Sequence, residues 1–313
     1  MSSFPKIMVV GAGVNGLCCG ITLLEGGFTE VEIIAEDLSP HTTSDIAAAI
    51  WRPSHMQNEH LAKWCETSLS QLMLLSKNTH SGVSWVTRTE FYREFTSPVW
   101  QNLVEHVKPA AKMPAAYQHM LSYKVPLMDT TIYMDYLINS FVKLGGKINQ
   151  EKIKAWQDIK AADVIVNCSG LGALDLAKDE SVYPIRGQVV VVERPARFTA
   201  SIAAPEDFIY IIARKNDCIV GGTAEKNDWH TKPDPKIAKQ IMAQAAEIYP
   251  AITKQKIIGH KVGLRPGRPS VRLESDWDSQ GRLLIHNYGH GGAGHSLSWG
   301  CAKAVLELIL FGN

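Results

Sequence analysis

No stretch of the 313-residue sequence reaches the roughly 18 consecutive apolar residues that a membrane span needs, so none is expected. Cysteine is sparse and unpatterned. Cys18, Cys19, Cys65, Cys168, Cys218 and Cys301 form no Cys-x-x-Cys pair and no Cys/His zinc spacing, and read as small buried hydrophobes in a reducing compartment. Excess charge of one sign is missing as well: 32 basic against 31 acidic residues leave +1, which gives no footprint for nucleic acid or an acidic membrane. Internal repeats, low-complexity blocks and linkers are absent, so the parts should interleave in one unit. No nucleophile–His–acid constellation stands out. The apolar N-terminal stretch is broken by Gly11, Gly13, Asn15, Gly16 and Gly20, unlike a signal peptide, and Phe311-Gly312-Asn313 is no peroxisomal address. The expected location is cytoplasmic.

What is present is a globular composition, 45% hydrophobic and 20% charged, and one dense N-terminal motif. Ile7-Met8-Val9-Val10 reads as a buried strand entering Gly11-Ala12-Gly13-Val14-Asn15-Gly16, and a helix should open with Val14, Leu17, Ile21 and Leu24. In such a Gly-x-Gly-x-x-Gly turn the first glycine turns the chain, the second lets backbone approach a pyrophosphate and the third lets helix and strand pack closely. The helix start adds free N–H groups and a positive dipole end. A second strand, Val31 to Ala35, ends at Glu36, 20 residues beyond Gly16, where a carboxylate grips an adenosine ribose. Strand, helix, second strand and terminal acid in register predict dinucleotide binding.

Further along, helical spacing predicts a helix over 59–76, and the β-rich run from Val83 to Phe95 a strand. Asp129-Thr130-Thr131 should cap a helix that stops at Gly145-Gly146. Val164-Ile165-Val166-Asn167 reads as a buried parallel strand running into Cys168-Ser169-Gly170. Gly187 to Glu193 is β; 208–212 and 218–223 suggest a hairpin; 237–249 is helical up to Pro250. Leu283 to His286 is a strand that leads into a Gly-rich loop, and a helix over 297–310 follows. This order predicts an α/β protein: a Rossmann-like dinucleotide domain assembled from separated pieces, interleaved with a second domain. His286, His290 and His295 could be read as a metal cluster, but a Gly-rich loop entering a helix suits a flavin better, so no metal is expected.

The chain resembles the D-amino-acid oxidase family of FAD enzymes, which includes D-aspartate oxidase. The resemblance covers almost the whole length. It rests on Thr42-Thr43-Ser44-Asp45-Ile46-Ala47-Ala48 with Trp51-Arg52-Pro53, on Val166 to Gly170, and on Arg186-Gly187-Gln188. It rests further on Gly221-Gly222-Thr223 with Asp228-Trp229, on Gly263-Leu264-Arg265-Pro266 through Glu274, and on His286 to Gly292. It implies an FAD domain from 1–55, 130–183 and 258–313, and a mixed-sheet substrate domain from 56–129 and 184–257. The implied cofactor contacts begin with Gly11, Gly13, Val14, Asn15 and Gly16, then Glu36 and Asp37. Thr42, Thr43, Ser44, Ala48, Ala49 and Ile50 follow, then Ser169 and Gly170. The last group is Arg265 with the loop residues Gly289, Gly291, Gly292, Ala293, Gly294, His295 and Ser296.

The family's arginine for the substrate α-carboxylate falls on Arg265, its tyrosine partner on Tyr210, and Gly292 offers a carbonyl to the amine. Arginine suits that task because its planar fork pairs both carboxylate oxygens, which lysine cannot do. The implied activity is hydride transfer from a D-amino acid to flavin, giving a 2-oxo acid, ammonia and, with oxygen, hydrogen peroxide. An oxidase of acidic D-amino acids such as D-aspartate is the first alternative; a nicotinamide dehydrogenase and a non-catalytic flavoprotein are the others. The chain departs from the family in three places. Ser201 to Asp207 is a short lid without tyrosine, Arg52 replaces a pocket glutamine, and Ala224 replaces the arginine that D-aspartate oxidase carries after Gly-Gly-Thr. Arg52 is the candidate for side-chain selectivity: it either meets a substrate carboxylate or pairs with a local acid such as Glu206 or Asp207. The sequence leaves homo-oligomer formation open.

Overall fold

The computed structural model describes residues 5–53, 58–109 and 112–312. Two sheets organise them. The first has six strands in the order Arg272–Trp277, Leu283–Tyr288, Val164–Asn167, Ile7–Val10, Val31–Ala35, Lys147–Gln150. All pairings are parallel except the edge hairpin of Arg272–Trp277 with Leu283–Tyr288. The central strands are continuous apolar runs because both faces are covered. Ile7, Val9, Ile33, Val166 and Ile285 face the helices Val14–Glu25, Thr130–Lys143 and Gly294–Phe311. Met8, Val10, Ile34, Ile165 and Leu284 pack on the other side against Ile153 and Ile159.

The helix limits follow local chemistry. Asp129 caps Thr130–Lys143 by accepting from the Thr131 N–H. Pro235, at a position whose N–H would have no helical acceptor, opens Pro235–Ile248 behind the Asp234 cap. Helix Gly294–Phe311 starts three residues earlier than its apolar spacing suggests, with Gly294 supplying the first turn. Among the described residues no helix is long and apolar enough to cross a membrane.

The second sheet has nine strands and is mixed. Its core is Tyr183–Glu193, Asp217–Gly221, Ile209–Ala213, Ser201–Ala204, Val83–Tyr92 and His119–Met128, neighbours in that order. Only Val83–Tyr92 with Ser201–Ala204 is parallel among these pairs. Val190, Val192, Ile211, Ala213, Cys218 and Val220 face helix Pro235–Ile248. The opposite face turns toward the first sheet.

Two of the long strands escape the sequence patterns. His119–Met128 carries polar residues at several positions and a proline. Ile257–Gly267 holds three glycines and Pro266, yet it is an eleven-residue strand paired to Tyr183–Glu193. It is therefore hydrogen-bonded into the second sheet, although the sequence reading groups residues from 258 onward with the cofactor parts. Proline survives there because the strand pairs on one side only and needs no second set of donors.

Candidate active site

The carboxyl ends of the parallel strands open into a cavity of about 1490 Å³ whose other wall is the second sheet. Open α/β sheets bind ligands at this end of their strands. Gly11 follows Ile7–Val10 there with φ +111°, a conformation that suits glycine, and a side-chain carbon on it would strike the Cys168 carbonyl. Gly13 begins helix Val14–Glu25 and leaves its first turn bare toward the cavity. The Val14 N–H donates to Ser44 Oγ at 2.9 Å, so the Thr-Thr-Ser-Asp turn is fastened to the helix start. Asp45, which no sequence argument singled out, shapes that turn: its carboxylate accepts from the Thr42 N–H, Thr42 Oγ1 and Ser39 Oγ.

Most of the expected cofactor residues line this cavity: Gly11, Gly13, Val14 and Asn15; Glu36 and Asp37; Thr42, Thr43 and Ser44; Ala48, Ala49 and Ile50; Ser169 and Gly170; Arg265, Gly291, Gly292, Gly294, His295 and Ser296. Gly16, Gly289 and Ala293 do not. Gly16 packs against the Gly11 carbonyl, so it is needed for helix–strand approach. Gly289 turns with φ +79° over the Arg268 stem, and Ala293 is buried in the main core. Glu36 lies at its strand end and is paired with Lys152 at 2.9 Å, both half exposed.

On the second sheet's inner face, Arg265 lies across Gly187 and Tyr210 across Gly221; a side-chain carbon on either glycine would fall inside 3.0 Å of the overlying group. Arg265 Nη1 donates to the Thr223 carbonyl at 3.0 Å, which fixes the guanidinium, and the Gly292 backbone lies against the arginine stem. Burial pushes the Tyr210 phenol above its usual range, while the neighbouring Arg265 and Arg88 pull it down, so it stays a neutral donor. Burial also lowers the imidazoles of His290, to about 4, and His295, so both are neutral near pH 7. Among the described residues, no group of three or more His, Cys, Asp or Glu is placed to hold a metal.

Arg52 lines the cavity, but its partner is not Glu206 or Asp207. Those acids hold Arg93, whereas Arg52 Nε donates to Glu90 Oε1 at 2.5 Å. Arg88 Nε donates to the same oxygen at 2.7 Å, and the Tyr92 hydroxyl donates to Oε2. Burial would raise the Glu90 carboxyl, but Arg88 and Arg52 more than offset that and hold it at about 2. The sequence reading missed this group, although Arg88-x-Glu90-x-Tyr92 has the two-residue period that puts side chains on one strand face. The expected lid is also different. Ser201–Ala204 is a strand of the sheet, so only the short Pro205–Asp207 turn and Phe208 remain at the rim.

A family model described as FAD dependent oxidoreductase, DAO, matches residues 6–308. The chain belongs to the DAO family of FAD-dependent oxidoreductases. It is 35% identical to a D-amino-acid oxidase of Rubrobacter xylanophilus, over 97% of this chain and 95% of that one. A D-amino-acid oxidase of Dictyostelium discoideum is 37% identical over 97% of this chain and 92% of its own. In fold it matches glycine oxidase from Geobacillus kaustophilus with a TM-score of 0.81 at 17% identity, covering 98% and 95% of the two chains. As a DAO-family member the protein is an oxidoreductase with FAD as its cofactor.

The residues present fit that group. Asn15 Oδ1, His290 Nε2 and His295 Nδ1 are buried, belong to residues lining the cavity, and have no protein partner. Such atoms are costly unless a ligand satisfies them. The cavity also exceeds the roughly 300–1,000 Å³ typical of small-ligand sites, as a dinucleotide with substrate requires.

Proposed function

We propose that the protein oxidises D-amino acids to 2-oxo acids, releasing ammonia and reducing oxygen to hydrogen peroxide. The observation that carries this is the Arg265–Tyr210 pair, held flat on the second sheet across the cavity from the nucleotide-type turn. Its relatives named D-amino-acid oxidase support the substrate class. FAD, when bound, supplies the hydride acceptor. The first sheet would hold it through the helix start at Gly13, the Thr42–Ser44 turn, and the loop from Gly291 to Ser296. The second sheet would hold the substrate.

Arg265 would receive the α-carboxylate in its planar fork, and Tyr210, kept protonated by burial, would donate a further hydrogen bond to it. Gly292, against the Arg265 stem, would orient the amine through its carbonyl. These contacts fix the α-carbon, and alignment of this kind can lower a barrier by about 7–11 kcal/mol. No residue need remove the α-hydrogen as a proton, in keeping with neutral His290 and His295. The six free, buried thiols suit a reducing compartment, which supports a cytoplasmic location.

The test is peroxide release and anaerobic bleaching of the yellow holoenzyme on adding a panel of D-amino acids and glycine. Bleaching by D- but not L-amino acids, reversed by air, is expected. A flavin that no D-amino acid reduces would overturn the reading.

A further inference from the structure

Arg88, Glu90 and Arg52 form a buried charge group beside the substrate clamp that the proposed reaction does not use. Their placement follows from the register. Tyr210 lies opposite Ala203, and Ala203 opposite Glu90; one row over, Ile212, Ser201 and Arg88 are aligned in the same way. Side chains opposite one another in a sheet share a face. Neighbouring strands are about 4.8 Å apart, so the Tyr210 and Glu90 positions are separated by about 10 Å, with only the small Ala203 between them. Arg88 and Arg52 line the same cavity as Arg265 and Tyr210, while Glu90 lies behind them.

The charges do not balance. Two guanidinium groups compete for Glu90 Oε1, at 2.5 and 2.7 Å, and Oε2 is taken by Tyr92. Side-chain exposure is 16% for Arg52, 5% for Arg88 and 0% for Glu90, so water does little to compensate. With both neighbouring tyrosines neutral, the group carries one net positive charge toward the cavity. A buried pair kept only for structure would be balanced, because an uncompensated buried charge is strongly destabilising. Tyr123, paired with Arg88 across the strands, is fully buried, and its hydroxyl has no hydrogen-bond partner.

We propose that Arg88 and Arg52 form the binding site for an anionic group on the substrate side chain, so that the preferred D-amino acids carry a second carboxylate. The proposal rests on the oxidase reading above and names the substrate class of the same site. With the α-carboxylate on Arg265 and Tyr210, the side chain of a D-dicarboxylic acid extends over Ala203. Its two carboxyl carbons are three or four C–C bonds of about 1.5 Å apart. The reach of the arginines covers the remainder. The cation comes from the Val83–Tyr92 strand and from Arg52, so Ala224 is no obstacle to binding an anion.

The experiment measures kcat/KM and anaerobic flavin bleaching of the holoenzyme for D-aspartate, D-glutamate and D-alanine, in wild type, Arg88→Met and Arg52→Gln. The wild type should favour an acidic substrate over D-alanine by at least tenfold. Each arginine variant should lower that ratio at least tenfold, mainly through KM for the acidic substrate. Glu90→Gln removes the competing carboxylate and should lower that KM. Malonate should perturb the wild-type flavin spectrum at lower concentration than acetate, a readout that needs no variant to fold. A wild type that prefers D-alanine, or a ratio unmoved in both arginine variants, overturns the anion site while leaving the oxidase intact. A flavin bleached by none of the three overturns both.

Discussion

Glycine serves different ends on the two walls of the cavity. At the strand ends of the first sheet, Gly11 and Gly16 press against backbone: a side-chain carbon on Gly11 would strike the Cys168 carbonyl, and one on Gly16 the Gly11 carbonyl. On the second sheet, Gly187 and Gly221 lie beneath side-chain tips, the Arg265 guanidinium and the Tyr210 ring. Backbone cannot retreat without dismantling the strand–helix turn, whereas the end of a long side chain can swing aside. The first wall therefore ties its glycines to folding and cofactor uptake. The second ties them to the placement of the two proposed carboxylate-binding groups, so stability and turnover should be separable there.

The largest expected effect is on the first wall. Gly16→Ala or Gly11→Ala should cost roughly 3 kcal/mol or more through overpacking and, at Gly11, an unfavourable φ. Flavin content should fall with melting temperature; Gly16→Ala protein isolated with full flavin would erase the contrast. Next is Arg265→Lys, which keeps the charge and loses the fork. Turnover should drop roughly 100-fold at unchanged flavin content, and a wild-type kcat/KM would remove Arg265 from the clamp. Gly187→Ala sharpens the comparison most directly: kcat/KM should fall about tenfold, a loss of ~1.4 kcal/mol in transition-state binding, with little change in melting temperature. Tyr210→Phe removes a single hydrogen bond from a neutral donor, typically worth about 0.5–1.5 kcal/mol and at most ~3 to a charged carboxylate.

Acid separates the walls by smaller increments. On the first, His286 and His290 are held at about 4, by burial and for His286 also by Arg272, against an ordinary 6.5. The unfolded chain then binds more protons than the native one, so stability declines as pH falls from about 6.5 to about 4. On the second, Glu90 is depressed to about 2, and its contribution persists until pH drops below about 4.5 and is lost on the way to 2. Melting curves of wild type and His290→Asn across pH 4 to 7 check this: the variant should show the shallower decline.

Much of the first wall was legible because its constraints lie within short stretches of chain. Ile7 to Gly16, Val31 to Glu36 and Val164 to Gly170 each declare a strand and the turn that follows it. The second wall depends on pairing between distant strands, which no local pattern encodes. Ile257–Gly267, with its glycines and Pro266, has no alternation to betray a strand. Arg265 and Tyr210 came from family resemblance. Arg52 does pair with a local acid, but that acid is Glu90, while Glu206 and Asp207 hold Arg93. Glu90 became visible only once the parallel pairing set it opposite Ala203. Gly16, Gly289 and Ala293 fall within cofactor-binding strings, yet a string does not say which of its members turn inward.

The order in which the first sheet acquires its strands has a consequence for synthesis. Ile7–Val10 is the first of the six strands to be made, and its sheet lacks Leu283–Tyr288 until some 270 residues later. At about 5–20 residues per second, that interval is roughly 14–54 s. Throughout it the nucleotide turn has no Gly291–Ser296 loop facing it, and helix Val14–Glu25 lacks the Gly294–Phe311 helix that packs beside it. On the proposed cofactor site, the half-built sheet stays uncovered on this side until Gly291–Ser296 is made, and FAD capture waits for that loop.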